Sequence, residues 1–414
     1  MKRVVITGLG GITPLGNTIT KTWQNLVNGF SGASSITHFD TSNSVTKIAC
    51  EVKGFDPFDF LDKKDINKLD LVSQYSLIAC NEAIIESKLL LTSIDKARVG
   101  VIWGTGNGGA TTYENTLKEL YTGASKKVSP YFVPKVLLDT SSGIISIKHG
   151  LRGVNYTTVS ACASASTAIA DAFNYIRWGK ADAIITGGAD APICASLIAG
   201  FNSLKALSTK NDAPLTASRP FDAARDGFVM GEGSVAFVVE SLDTALARNA
   251  NILAEIVGTG INADAYHMTA GHPDGQGAIA CIRLALEEAG IDFEQLDYLN
   301  AHATSTPVGD LAESYALKNL SSNKKSPWIG ATKSMTGHLM GAAGALEAAI
   351  CVLAVQQNTI PPTINLDSLD SKIDAHLRIV GKNAIKNEVV EYALSNNFGF
   401  GGHNGAIIFK KFTV

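Results

Sequence analysis

The sequence predicts an α/β protein assembled from two similar halves, and three observations carry that expectation. Strand-like apolar runs alternate with helical ones along the chain, the pattern of a largely parallel sheet covered by helices. At 414 residues the chain exceeds what one hydrophobic core normally supports, so two domains or two fused halves are expected. The halves also look like copies. YTTVSACASAST leads into a small-residue helix as PWIGATKSMTGHLMGAAGALEAAI does, and each is followed by a glycine-rich strand, ITGGADA or SNNFGFGGHN.

Taken in order, residues 1–250 begin with the strand KRVVITG and the helix TWQNLVNG. ARVGVIWG then reads as a strand before the helix TTYENTLKELYTG, with the glycine turn GTGNGG between them. GVNYTTVS has the β-branched and aromatic content of a strand, and ASASTAIADAF the spacing of a helix with a close-packed face. ADAIITGG, GSVAFVVE and the helix DTALARNA complete this half, and NDAPLTASRPFDAARDGF, residues 211–228, reads as a long surface loop. The join is expected around 241–254. Residues 251–414 repeat the alternation with AEIVGTGINA, the helix GAIACIRLALEEAG, LDYLNAHAT, WIGATKS with its Ala-rich helix, and EYALSNNFGFGG.

Composition narrows the function. A formal net charge of −3 gives no broad basic surface, which argues against nucleic-acid or membrane-surface binding. The apolar run after Met1 breaks at Gly8 without a cleavage-site pattern, and the run GAAGALEAAICVLAV carries Glu347 near its middle, so neither a signal peptide nor a membrane span is expected. The six cysteines, at 50, 80, 162, 194, 281 and 351, are scattered with no CxxC pair, so no zinc site or disulfide framework is expected and a reducing cytosol fits best.

Cys162 stands apart because a strand delivers it to the start of a helix. Unpaired N–H groups and the positive end of the helix dipole there favour an anion, which biases the thiol towards the nucleophilic thiolate and offers donors to an oxyanion. A cysteine nucleophile needs a partner, usually histidine, supplied by the fold. Of eight histidines, His302 in NAHATSTPVGD and His338 in KSMTGHLMGAAG each follow a strand in a hydroxyl-rich turn. HMTAGH has a spacing that suits no common metal-ligand pair, so no metal is expected. GTGNGG fits the dinucleotide fingerprint only formally, because no second strand ending in an acidic residue follows promptly; a tight turn lining a pocket is the expectation.

Together VSACAS, NAHATSTPVGD, KSMTGHLMGAAGALEA and NNFGFGGHNG resemble, in order, the signature blocks of the β-ketoacyl-acyl-carrier-protein synthases, type II elongating class, in the thiolase-like superfamily. The resemblance extends to KRVVITGLGGITPLGN, KALSTKNDAPLTASRPFDAARDGFVMGEG and DAYHMT, nearly the whole chain. It implies a duplicated α/β fold in five layers, α-β-α-β-α, with Cys162 in the 1–250 half and both histidines in the 251–414 half, assembled as a homodimer. It implies decarboxylative condensation of a malonyl group on acyl carrier protein with an acyl chain held on Cys162, without a cofactor beyond the carrier's phosphopantetheine. His302 and His338 would stabilise the enolate, Lys333 and Glu347 would support them, and the N–H groups of Cys162 and Phe400 would form the oxyanion hole.

The same resemblance gives Thr304 and Thr306 to the phosphopantetheine arm, makes Phe400 a gate, and adds Asn107, Phe201, Phe398 and Thr269 to the substrate-binding set. It places carrier-protein docking at Lys63, Lys64, Lys68, Lys205 and Lys210. Three departures stand out: Ala303 replaces a usual Gly, His403 stands where Thr is common, and Asn107 replaces an apolar residue at the far end of the acyl pocket. A ketosynthase of a specialised polyene or polyketide pathway shares this chemistry. A noncatalytic chain-length-factor subunit shares the fold but lacks the nucleophile.

Overall fold

The computed structural model describes residues 1–125, 127–321 and 325–413. The first half contains strands β1 (Val4–Ile12), β2 (Ser34–Ser35), β3 (Ile48–Ala49), β4 (Val99–Gly104), β5 (Asn155–Thr158), β6 (Ala183–Asp190) and β7 (Gly233–Ser241). Its helices are α1 (Ile19–Val27), α2 (Lys63–Lys68), α3 (Leu71–Ser87), α4 (Ala110–Thr122), α5 (Phe132–Val136), α6 (Thr140–His149), α7 (Ser164–Arg177), α8 (Ala195–Ser203) and α9 (Leu242–Ala247). The second half contains strands β8 (Ala254–Ala263), β9 (Tyr298–Asn300), β10 (Trp328–Gly330), β11 (Thr359–Ile360), β12 (Arg378–Ile379), β13 (Ile385–Lys386), β14 (Tyr392–Gly399) and β15 (His403–Lys410). Its helices are α10 (Gln276–Ala289), α11 (Pro307–Ser321), α12 (Lys333–Thr336) and α13 (Ala343–Gln357).

Strand order establishes the duplication. The main sheet runs β12-β10-β9-β14-β15-β8-β1-β7-β6-β4-β5. Read outward from the centre, the order β1-β7-β6-β4-β5 matches β8-β15-β14-β9-β10 strand for strand. The two sets meet edge to edge, with β1 and β8 antiparallel over three residue pairs. The sheet is mixed, not largely parallel as the alternation implied: β7 runs against β1 and β6, and β15 against β8 and β14. A fully buried strand reads as an apolar run in either direction, so only the connections decide its sense.

Local chemistry repeats as well. A Cβ on Gly8 or Gly10 of β1 would stand 2.3 or 2.1 Å from the backbone of α3, and one on Gly258 or Gly260 of β8 would stand 2.1 or 2.0 Å from the backbone of α10. Both outer helices therefore lie directly on glycine-bearing strands. The buried helices α7 and α13 form the middle layer and share one core with the flanking strands. The stretch Met340–Gln357 is apolar and long enough to cross a membrane, but 89% of it is buried in this core.

Residues 211–228 form only partly the surface loop expected of them. Phe221, Asp222 and Arg225 are buried: the Phe221 N–H donates to Asp310 at 2.9 Å, and the Arg225 guanidinium bonds Asp370 at 2.8 Å. These partners lie in the second half of the chain, out of reach of a local reading.

Candidate active site

Cys162 occupies a single 3-10 turn, Ala161–Ala163, that runs directly into α7. The mirrored turn Met340–Ala342 runs into α13. Ala161 at φ 50° and Met340 at φ 51° adopt the same left-handed conformation, a strained backbone that places the next residue at the tip of each turn. His302 follows β9, and His338 lies between α12 and the Met340 turn. The three side chains meet although 176 residues separate Cys162 from His338: Sγ lies 3.0 Å from His338 Nε2, and the two imidazoles stand edge to face with centroids 5.3 Å apart.

The thiol is not a resting thiolate. Burial pushes Cys162 up to about 11, and the nearby Lys333 cation and the Phe400 N–H draw it down only in part. The helix N-terminus was expected to favour the anion; loss of water outweighs it because Cys162 lies beneath packed side chains. The histidines are neutral for a related reason. Burial first, then the positive charge of Lys333, holds both well below the usual imidazole range, and His338 adds to the effect on His302.

A buried network fixes His302. Lys333 Nζ donates to the His302 carbonyl and to Glu347, and lies 3.4 Å from His302 Nδ1. Asn397 Nδ2 lies 3.5 Å from the same Nδ1 and also donates to Glu347. Both groups near Nδ1 are donors, so Nδ1 accepts and the proton resides on Nε2. Burial raises Glu347 to about 7 despite Lys333. Glu313 was not singled out from the sequence, yet it accepts the N–H groups of His302 at 2.8 Å and Ala303 at 2.7 Å. Glu313 lies one turn from Asp310 on α11, and the burial of both, which marks their role, is set by the fold. Ala303, at φ 26°, adopts a backbone that favours the glycine it replaces.

Cys162, His302, His338 and Glu313 line a cavity of about 560 Å³ shared with Asn107, Phe201, Thr269, Thr304, Thr306, Phe398 and Phe400. Phe228 and Met340, unflagged by the sequence, line it too. Phe398 packs against His302 at 5.7 Å, and Phe400 stands 6.1 Å from Phe201. Thr304 and Thr306 pair their hydroxyls at 3.0 Å. The Asn107 N–H is bound to Asp190, while its side-chain amide has no hydrogen-bond partner among the described residues. Lys333 and Glu347 stand behind His302, outside the cavity lining.

The expected docking lysines are dispersed. Lys205 lines the cavity, while Lys63 and Lys64 are exposed on α2. Lys68 lies over the Tyr131 ring at 5.3 Å. Lys210 is half-buried and donates to the Ala224 carbonyl at 2.5 Å in an exposed contact. The ligating atoms of Cys162, His302 and His338 all lie within 4.8 Å of one another, the one trio among the described residues that could hold a metal ion; His267 and His272 join no such group.

A doubled α/β unit with a cysteine at one central helix and two histidines brought to it from the other half is the layout of a thiolase-like condensing enzyme. The β-ketoacyl synthase N-terminal domain matches residues 1–245 and the corresponding C-terminal domain matches 253–367, and the chain belongs to this family. It is 45% identical over 412 residues to a 3-oxoacyl-[acyl-carrier-protein] synthase 2 of Staphylococcus aureus, covering 99% of each chain. A protein of the same description from Synechocystis is 44% identical, covering 99% of this chain and 98% of its own. Among solved structures, the ishigamide ketosynthase/chain length factor superposes with a TM-score of 0.92 at 33% identity, covering all of both chains.

Proposed function

We propose that the protein is a 3-oxoacyl-acyl-carrier-protein synthase of fatty-acid elongation, in which Cys162 takes the growing acyl chain and His302 and His338 serve the condensation. The observation that carries this reading is the convergence of one thiol and two neutral imidazoles on a single cavity. In the first step Cys162 Sγ attacks the acyl thioester carbonyl, with the N–H groups of Cys162 and Phe400 holding the oxyanion. The Cys162 thiol proton goes to the departing carrier thiolate, which suits a thiol that rests protonated and leaves the His338 Nε2–H in place.

In the second step a malonyl thioester enters, its carbonyl oxygen between the two Nε2–H groups. Loss of CO2 leaves an enolate that these donors stabilise as charge develops, and neutral imidazoles can do so without first giving up a proton. The enolate carbon attacks the acyl-cysteine carbonyl, the carbon–carbon bond forms, the C–S bond breaks, and the Cys162 thiolate takes up from solvent the one proton that the condensation consumes. The paired hydroxyls of Thr304 and Thr306 suit the phosphopantetheine arm. The residues that carry this chemistry divide between 1–250 and 251–414, so neither half holds a complete site.

Two surface features bear on partners. β5 ends the sheet, and exposed apolar residues nearby, Val133, Leu137 and Val159 among them, fit a second copy of the chain. Lys63, Lys64 and Lys205 supply positive charge for an acidic carrier protein. A specialised polyene or polyketide pathway is the second reading, favoured by the unpartnered Asn107 amide in the cavity wall.

The test is Cys162→Ala with carrier-bound acyl and malonyl substrates. Acyl-enzyme detected by mass spectrometry should vanish and condensation with it, while the folded protein persists. Condensation by the pure variant would overturn the assignment.

A further inference from the structure

Asp190 ends β6 as Gly399 ends β14, and its carboxylate is completely buried beside the cavity. Its Oδ1 accepts the Thr105 hydroxyl at 3.0 Å and the Asn107 N–H at 2.9 Å. Its Oδ2 accepts the Gly106 N–H at 3.0 Å and the Gly341 N–H at 2.6 Å. Thr105–Asn107 and Gly341 come from opposite halves of the chain, and Gly106, Asn107, Met340 and Gly341 all line the cavity with Cys162. The contact allows no slack: a Cβ on Gly341 would lie 2.3 Å from the Gly106 nitrogen, and one on Gly106 would lie 2.9 Å from Asp190 Oδ2.

The duplication gives this cluster a meaning. Gly341 follows Met340 in its turn as Cys162 follows Ala161, so the Gly341 N–H is the second-half counterpart of the N–H at the nucleophile. In the first half that position faces the cavity; in the second a resident carboxylate covers it. We propose that Asp190 is a positioning residue that converts this counterpart turn into a fixed wall of the acyl cavity, clamping the Gly106–Asn107 turn against Met340–Gly341. The inference rests on the ketosynthase reading above, because it assigns the clamped wall to the acyl chain.

The atoms dictate how the clamp fails. Four donors converge on two acceptor oxygens, so Asp190→Asn sets a donating NH2 against two of them and must release one side of the wall. His338 is held independently, its N–H on the Val229 carbonyl at 2.8 Å and its carbonyl on the Gly231 N–H at 2.8 Å. Loosening the wall therefore acts on acyl transfer more than on decarboxylation.

The experiment compares wild type, Asp190→Asn and Thr105→Val in both half-reactions. Acyl transfer to Cys162 is followed by mass spectrometry with a short and a long saturated acyl chain on carrier protein, and decarboxylation by CO2 release from malonyl carrier protein. Long-chain transfer should fall about tenfold or more relative to both short-chain transfer and decarboxylation, since small misplacements of a binding wall cost rate steeply. Thr105→Val removes one donor while keeping the carboxylate and should shift the same ratios in the same direction, which keeps the test decisive if Asp190→Asn does not fold. Unchanged ratios, or a parallel fall of both half-reactions with the unfolding midpoint, would overturn the positioning role. Failure of the wild type to form any acyl-cysteine would instead overturn the ketosynthase reading.

Discussion

Replacing Lys333 by Met removes a buried cation at roughly constant length, and the structure fixes three consequences. Glu347 loses the partner that draws its pKa down and keeps only the Asn397 donor. Breaking one side of a buried ion pair costs about 3–5 kcal/mol, a large part of the 5–15 kcal/mol that is typical of a folded domain. Burial already raises Glu347 to about 7, and without Lys333 it rises further. A carboxyl whose folded pKa exceeds its unfolded value leaves the native state binding more protons than the unfolded state, so stability is greatest at low pH and falls as pH rises towards the folded pKa. The variant should be least impaired near about pH 6 and most impaired above about pH 8.

The same substitution removes the donor at the His302 carbonyl and the charge that opposes protonation of its ring. Malonyl decarboxylation should fall about 10²-fold, the scale for loss of one well-placed oxyanion donor, and its acidic limb should move to higher pH. The double variant Lys333→Met with Glu347→Gln should recover stability, having no unpaired charge, without recovering rate. Urea denaturation and CO2 release from malonyl carrier protein measure the two effects. A single variant whose deficit shrinks as pH rises, or a double variant that decarboxylates normally, would refute the network.

Three further outcomes are expected. Charge reversal at Lys64 and Lys205 should raise the Michaelis constant for carrier-bound substrate at low ionic strength and converge with wild type at high salt; equal constants throughout would remove these lysines from docking. Asn107→Ile should favour long saturated chains over short or conjugated ones by about ten- to hundredfold, since an unpaired amide against a methyl terminus costs roughly 1–3 kcal/mol; identical chain-length profiles would free Asn107 of that role. His38, raised by its hydrogen bond to Glu232, gives stability that is full below the ordinary imidazole range and lost as pH rises through its folded pKa. The wild-type urea midpoint should therefore fall more than that of His38→Gln between about pH 6 and pH 9, and parallel curves would exclude the contribution.

The sequence by itself determined the alternation of elements, the doubling of the unit, the position of Cys162 before a helix, and His302 and His338 after strands. Periodicity, β-branched runs and glycine turns are local properties, each written within about a dozen neighbouring residues, and the doubling shows as the same local pattern met twice along the chain. Strand direction was not legible, because β7 and β15 are apolar whichever way they run. Nor was the protonation of Cys162: a helix terminus is visible in sequence, but the desolvation that opposes it exists only once His338 and Phe400 pack around the sulfur. The same holds for Glu313 beneath His302 and for Asp190, which gathers donors from both halves. Sequence records which groups are available, whereas the dielectric around a group and its partners across hundreds of residues are set by tertiary packing.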